Sequence, residues 1–198
     1  MKTLLNKIET ELIIKNSRFI NELFICESQS DARELIKSQK DKYQDASHVC
    51  HAFVIGKDAE VLGMSDAGEP SGTAGRPMLD VLKGSGITNI LLTVTRYFGG
   101  TLLGTGGLVK AYGDCAKSVI EKAFADNATE ELVEKKDFSF SCDYATYETI
   151  KRQLKDFTIY EMKEEYADCV TLKAKILADQ VETFSTMIKN VTNGKVDL

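Results

Sequence analysis

From Arg96 to Lys110 the chain reads RYFGGTLLGTGGLVK. Gly104, Gly106 and Gly107 stand where a helix opens, so the first backbone N–H groups and the positive end of the helix dipole face outward. Such an end can hold an anion. Arg96 leaves the preceding strand nearby, and Arg76, Gly99, Gly100, Thr105 and Lys110 complete the residues that a phosphate or an RNA backbone would meet. The spacing is not a nucleotide signature. Val109 occupies the third-glycine position of GxGxxG, and no GK[ST] follows. The plainer outcome is a tight turn, with Arg96 in a structural ion pair.

A second unusual loop, SDAGEPSGTAGRP, runs from Ser65 to Pro77. It offers Asp66, Glu69, Ser71 and Thr73. A carboxylate pair could hold Mg²⁺ if a phosphate supplied further oxygens. The commoner outcome is a loop knitted by Asp, Ser and Thr bonds to its own backbone. GEPSG is not the GxSxG nucleophile elbow. His48 and His51, the only histidines, point to opposite faces of a strand, which disfavours chelation. Cys50 shares a face with His48, a weak case for a nucleophile. No catalytic residue, metal site or cofactor is expected.

The elements that would position these residues follow from periodicity. Ile8 to Ile14 and Phe19 to Cys26 suit an antiparallel pair turning at Lys15-Asn16-Ser17. A helix runs from Ser30 to about Lys42, and His48 to Ile55 is a third strand. Gly56 to Gly75 reads as loop. Met78, Leu79 and Leu82 mark a short helix, with Pro77 in its first turn. Ile90 to Thr95 is a buried strand. Leu108, Tyr112, Cys115, Val119 and Ala123 form the inner stripe of a long helix. Lys110/Asp114 and Lys117/Glu121 are spaced as pairs on its outer face. Gly113 lies inside it, which suggests close contact with another backbone. The polar stretch Asp126 to Lys136 suits a domain boundary. Beyond it come strand Phe138–Cys142, helix Tyr144–Phe157, strands Thr158–Lys163 and Cys169–Ile176, helix Asp179–Asn190, and a closing strand Lys195–Leu198. That order fits a ferredoxin-like βαββαβ sandwich.

The chain has 198 residues, 43% hydrophobic, with a formal net charge of -5. This is enough for two small cores. The acidic balance disfavours strong nonspecific nucleic-acid binding. Only the glycine-rich region between Gly63 and Gly113 is locally basic, with four basic side chains against three acidic. Five widely spaced cysteines without a CxxC pair read as buried thiols in a reducing compartment. No apolar run approaches a membrane span of ~18 residues. A cytoplasmic, non-membrane protein is expected.

Read together, SDAGEPSGTAGRPMLDVL and TVTRYFGGTLLGTGGLVKAYG resemble the YigZ/IMPACT family. KNSRF at Lys15–Phe19 and DASHVCHAF at Asp45–Phe53 resemble its other blocks. CDYATYETIKRQL and YADCVTLKAKI resemble the second domain of bacterial members. The resemblance implies an α+β protein of two domains. Residues 1–130 would form a ribosomal-protein domain-2-like βα domain. Residues 136–198 would form a ferredoxin-like domain similar to the fifth domain of elongation factor G. Eukaryotic members act as translation regulators, through a contact made by an RWD domain that these residues do not contain. The resemblance therefore implies binding to RNA, the ribosome or a translation-factor partner through the glycine-rich face. Two alternatives stand beside it. One is a phosphate- or nucleotide-binding enzyme related in fold to GHMP kinases, although GTGGLVK lacks their serine-rich loop. The other is a protein-interaction module without an anion site.

Overall fold

The computed structural model describes residues 1–196 and divides the chain into two compact units, Met1–Leu132 and Val133–Leu198. In the first, strands β2 (Ile8–Ile14), β3 (Ser17–Ile25), β4 (His48–Ile55), β5 (Val61–Ser65) and β6 (Ile90–Tyr97) form an antiparallel sheet of order β2-β3-β6-β4-β5. Lys15 and Asn16 both have positive φ, +46° and +63°. They make the two-residue β2–β3 hairpin turn whose twist matches the strands it joins. Ser17 is thereby drawn into β3 and fully buried. Strand β5 lies inside the stretch expected to be loop. Its five residues are interrupted by Gly63, which weakens their strand signal. The Phe53 ring lies over the glycine, so that a Cβ there, 2.1 Å from the ring, would have to displace it.

Helices α2 (Gly75–Gly84) and α3 (Thr105–Ala125) cover one face of this sheet and build the main core. Met78 and Leu82 from α2 meet Tyr112, Cys115 and Val119 from α3 over Phe19, Leu23, Ala52 and Leu92. Helix α1 (Gln29–Lys42) covers the other face through a smaller cluster around Cys26, Ala32, Ile55 and Leu91. It begins one residue earlier than its sequence suggests, because Ser28 and Asp31 close a capping box. On the α1 face, Glu22, Thr93 and His51 stand in register across three strands. Burial, helped by Lys40, pushes the His51 imidazole down to about 4, so it is neutral at physiological pH.

The polar stretch expected to mark the domain boundary is partly structured. Thr129–Glu131 forms β7, which pairs antiparallel with β1 (Lys2–Leu4) in a two-stranded ribbon, Lys2 opposite Glu131 and Leu4 opposite Thr129. Leu132 N–H donates to the Met1 carbonyl at 2.9 Å. Both segments are short and carry only a few apolar side chains, so neither shows a strand period.

The second unit runs β8 (Lys135–Cys142), α4 (Tyr144–Gln153), β9 (Ile159–Tyr166), β10 (Val170–Leu177) and α5 (Val181–Val191). Its antiparallel sheet has the order β8-β10-β9. Phe140, Val170, Leu172 and Ile176 face Tyr147, Ile150, Phe184 and Ile188 of the two helices. This is the βαββα portion of the expected sandwich. Lys195 and Val196 are not in a strand. The remainder of the expected closing strand, Asp197 and Leu198, lies outside the described residues.

Gly113 corrects one expectation. A Cβ there would meet nothing within 4 Å, so no neighbouring backbone demands the glycine. Gly113→Ala should stabilise the first unit by about 0.5–1 kcal/mol, the helix-propensity difference. A urea titration showing a loss of stability instead would reveal a contact that the geometry does not contain.

Candidate functional site

The site forms where the central strand of the first unit meets the start of α3. Arg96 in β6 lies in register between Phe19 of β3 and His48 of β4. Its side chain is only 6% exposed, and Nη1 donates to Glu69 Oε1 at 2.7 Å. Nη2 reaches the Ser17 hydroxyl at 3.3 Å. The guanidinium also sits over two aromatic rings, 5.6 Å from Phe19 and 5.7 Å from Phe98. Glu69 is held from a second side by Tyr112, whose hydroxyl donates to the same Oε1 at 2.8 Å. The charge of each partner is thus answered inside the protein, as a buried ion pair requires.

Asp66 builds the loop that carries Glu69. Its carboxylate accepts N–H bonds from Gly72 at 2.8 Å, Ala74 at 2.9 Å and Gly75 at 2.8 Å. Burial opposes ionisation of Asp66, but these backbone bonds outweigh it and hold the carboxyl below the usual range. Thr73 Oγ1 donates to the Pro70 carbonyl at 2.6 Å. The loop is therefore knitted to its own backbone, and the Asp66 carboxylate is committed to it. Ser71 is exposed beside it.

His48 forms the adjoining wall. Its Nδ1 lies 3.0 Å from the Ala67 carbonyl, an acceptor, so Nδ1 carries the proton and Nε2 points elsewhere. Nε2 faces Glu69 Oε2 at 3.9 Å. Cys50 is fully buried, its Sγ 3.0 Å from the Asp66 carbonyl and 3.4 Å from the Tyr112 hydroxyl. Burial pushes its thiol up to about 12, against a smaller opposing effect of the Tyr112 hydroxyl. Cys50 is a core residue and not a nucleophile. Native protein at pH 8 should therefore resist alkylation by iodoacetamide at Cys50 and accept it only in urea. Rapid native labelling of that peptide, read by mass spectrometry, would contradict this.

An open pocket of about 420 Å³ gathers these groups. His48, Glu69, Arg96 and Thr105 supply its polar lining, and Pro70, Phe98, Leu102, Leu103 and Leu108 its apolar lining. Gly104 turns the chain into α3 at φ +74°, a conformation that favours glycine, and no side chain caps the helix. The first amides of α3 are left to solvent or a ligand. At the mouth, Leu102 is 82% and Phe98 49% exposed.

The expected cluster of free cations is not formed. Arg96 is committed to Glu69, and Arg76 Nε pairs with both carboxylate oxygens of Asp80, at 2.9 and 3.0 Å. Lys110 is exposed one turn along α3, and neither it nor Arg76 lines the pocket. Gly106 and Gly107 occupy the first helical turn, and Gly100 has φ +84° in the loop before it. Gly99 is fixed by the hairpin opposite, its N–H donating to Ser17 Oγ at 3.3 Å. Ser17 and Tyr112 belong to the site without having been singled out. A tyrosine on a buried helix stripe needs a hydroxyl partner, and that requirement was the available signal for Tyr112. Among the described residues no group of three or more His, Cys, Asp or Glu could hold a metal ion. No helix among them is long and apolar enough to cross a membrane.

Comparison with known proteins covers both units. Residues 15–120 match the Impact N-terminal domain, and residues 140–195 match a domain of unknown function, DUF1949. The chain is similar to the Bacillus subtilis IMPACT family member YvyE, 36% identical over 190 residues, covering 96% of this chain and 86% of that protein. It is also 36% identical over 187 residues to the Escherichia coli IMPACT family member YigZ, covering 93% and 90% of the two chains. A crystal structure described only as that of a hypothetical protein matches with a TM-score of 0.72 at 34% identity, covering 98% of this chain and 93% of the other.

Proposed function

The chain belongs to the IMPACT family, and from that premise we propose that it is a translation-associated regulator that engages a protein partner through the glycine-rich face of its first unit. The observation that carries the choice of partner is the pairing of Phe98 and Leu102, both exposed, around an uncapped helix start near which Arg96 and Arg76 are already paired with carboxylates. Apolar and aromatic side chains at a concave mouth suit a protein surface. A phosphate backbone calls for Lys and Arg that are free to replace its counterions. The nucleotide-enzyme alternative loses support for a related reason. A polyanion in the pocket would lie beside Glu69, whose compensating cation is already committed.

A photo-crosslinking amino acid at position 102, in growing cells, tests the reading. Bound RNA and bound protein would be recovered separately. A ribosomal protein or translation factor should dominate, and Leu102→Asp should abolish its recovery from a tagged chain. Crosslinks to RNA alone, or a protein set unrelated to translation, would overturn it.

A further inference from the structure

The face of the five-stranded sheet that lies under α1 carries polar groups that the protein does not pair. Glu22 of β3, Thr93 of β6 and His51 of β4 stand side by side in register, and Thr95 follows two residues along β6 on the same face. Glu22, Thr93 and Thr95 are fully buried. Helix α1 lies over this row. Its Lys42 reaches Glu22 Oε1 at 3.0 Å, and its Lys40 is close enough to act on the His51 ring. Gln39, 5% exposed, continues the inward stripe of Ala32, Leu35 and Ile36 and comes down between those two contacts. Among the described residues, Glu22 Oε2, Gln39 Oε1, His51 Nδ1, Thr93 Oγ1 and Thr95 Oγ1 are buried and have no hydrogen-bond partner.

A buried polar atom left unmatched carries its full desolvation penalty, and native interiors hold few of them. Their concentration in one seam points to a shared partner, and the chemistry of the seam limits what that partner is. Burial alone would raise the Glu22 carboxyl, but Lys7, Lys42 and Tyr43 hold it below its usual range, so Oε2 is an acceptor. The carboxylate charge is already answered by the Lys7 and Lys42 ammonium groups. A further cation would be repelled by those lysines, and an anion would meet Oε2. Gln39 Oε1 accepts, the two threonine hydroxyls both donate and accept, and Nδ1 of the neutral His51 ring does one or the other according to its tautomer. The partner is therefore neutral and both donates and accepts. It is also small, because the side chains beneath α1 are closed off from solvent.

We propose that the seam under α1 is a built hydration site, in which a short chain of ordered waters bridges Gln39 to Glu22, Thr93 and His51 and runs on to Thr95. At roughly three bonds per buried water, these atoms call for about two molecules. Helix α1 is then joined to the sheet by water as well as by the small apolar cluster around Cys26 and Leu91. The site lies on the face opposite Arg96 and its pocket, so it stands or falls independently of the partner reading.

A crystal structure of the full chain at near-atomic resolution should show solvent peaks in the seam, each within about 3.2 Å of at least two of the named atoms. A dry seam, or side chains bonded directly to one another across it, would overturn the proposal. Thr93→Val gives a test in solution whose sign differs between the two cases, since valine keeps the shape and removes the hydroxyl. With water in place, the chain of bonds loses one member, and native-state hydrogen exchange of α1 and β6 amides should be about fivefold faster. With a dry seam, valine removes an unmatched polar atom and exchange should slow. Exchange that is unchanged or slower in the variant counts against the site as decisively as a dry seam in the crystal.

Discussion

Arg96→Met should cost the first unit about 3–5 kcal/mol, the usual penalty for removing one member of a buried ion pair. Glu69 would then remain in a site with 3% side-chain exposure, with the Tyr112 hydroxyl as its remaining hydrogen bond. Methionine keeps much of the apolar stem and gives up the guanidinium with its contacts to the Phe19 and Phe98 rings, so the loss reports the charged group more than volume. The double variant Arg96→Met/Glu69→Gln removes the stranded charge and should recover at least half of the stability. Residue-resolved hydrogen exchange on the full chain isolates the first unit from the second. A loss below about 1 kcal/mol in the single variant would mean that the pair is surface-like in strength. In that case Arg96 would be available to a ligand after all.

Gly99→Ala carries the second large effect. A Cβ at that position would lie 2.0 Å from both the carbonyl carbon and oxygen of Asn16, and 2.4 Å from the Ser17 nitrogen. These are backbone atoms of the tight β2–β3 turn and cannot rotate away. Either the turn or the segment after β6 must move, and the upper part of the overpacking range, about 3 kcal/mol, is expected. Displacing that segment also breaks the Gly99–Ser17 bond and carries Phe98 off the pocket mouth. Gly106→Ala is the control. A Cβ there meets nothing within 4 Å, so thermal unfolding should be little changed. Equal melting temperatures for Gly99→Ala and the parent protein would refute the close approach.

Much of this arrangement is legible in the residues. The inner stripe of α3 and the β-branched run of β6 carry periods strong enough to place both elements, and together they deliver Arg96 and Gly104 to one junction. The Ser65–Pro77 composition likewise foretells a loop bonded to itself, which Asp66 brings about. The state of Arg96 is harder to read. An arginine at a strand end before a glycine turn has the same local pattern whether it meets a phosphate or a glutamate 27 residues away. Only the register Phe19–Arg96–His48, set by pairing between distant strands, decides which. The pocket's apolar mouth is hidden for a similar reason. Phe98 and Leu102 look like core residues until the glycine turn swings them outward. Strands β1, β5 and β7 are too short, or too interrupted, for a period of two to appear.

The β1–β7 ribbon has a mechanical consequence. Lys2 lies opposite Glu131, so the two ends of the first unit leave the ribbon side by side. Tension applied through Met1 and Leu132 would load the hydrogen bond between them first, then the rungs to β7 together with the bonds that hold Lys2 to Gly86 and Thr88. That is peeling, which needs far less force than shearing all rungs together. Gly86 and Thr88 stand just before β6, so opening the ribbon passes strain on to the segment that enters the central strand. The ribbon is in effect a clasp that ties both ends of the first unit to its core.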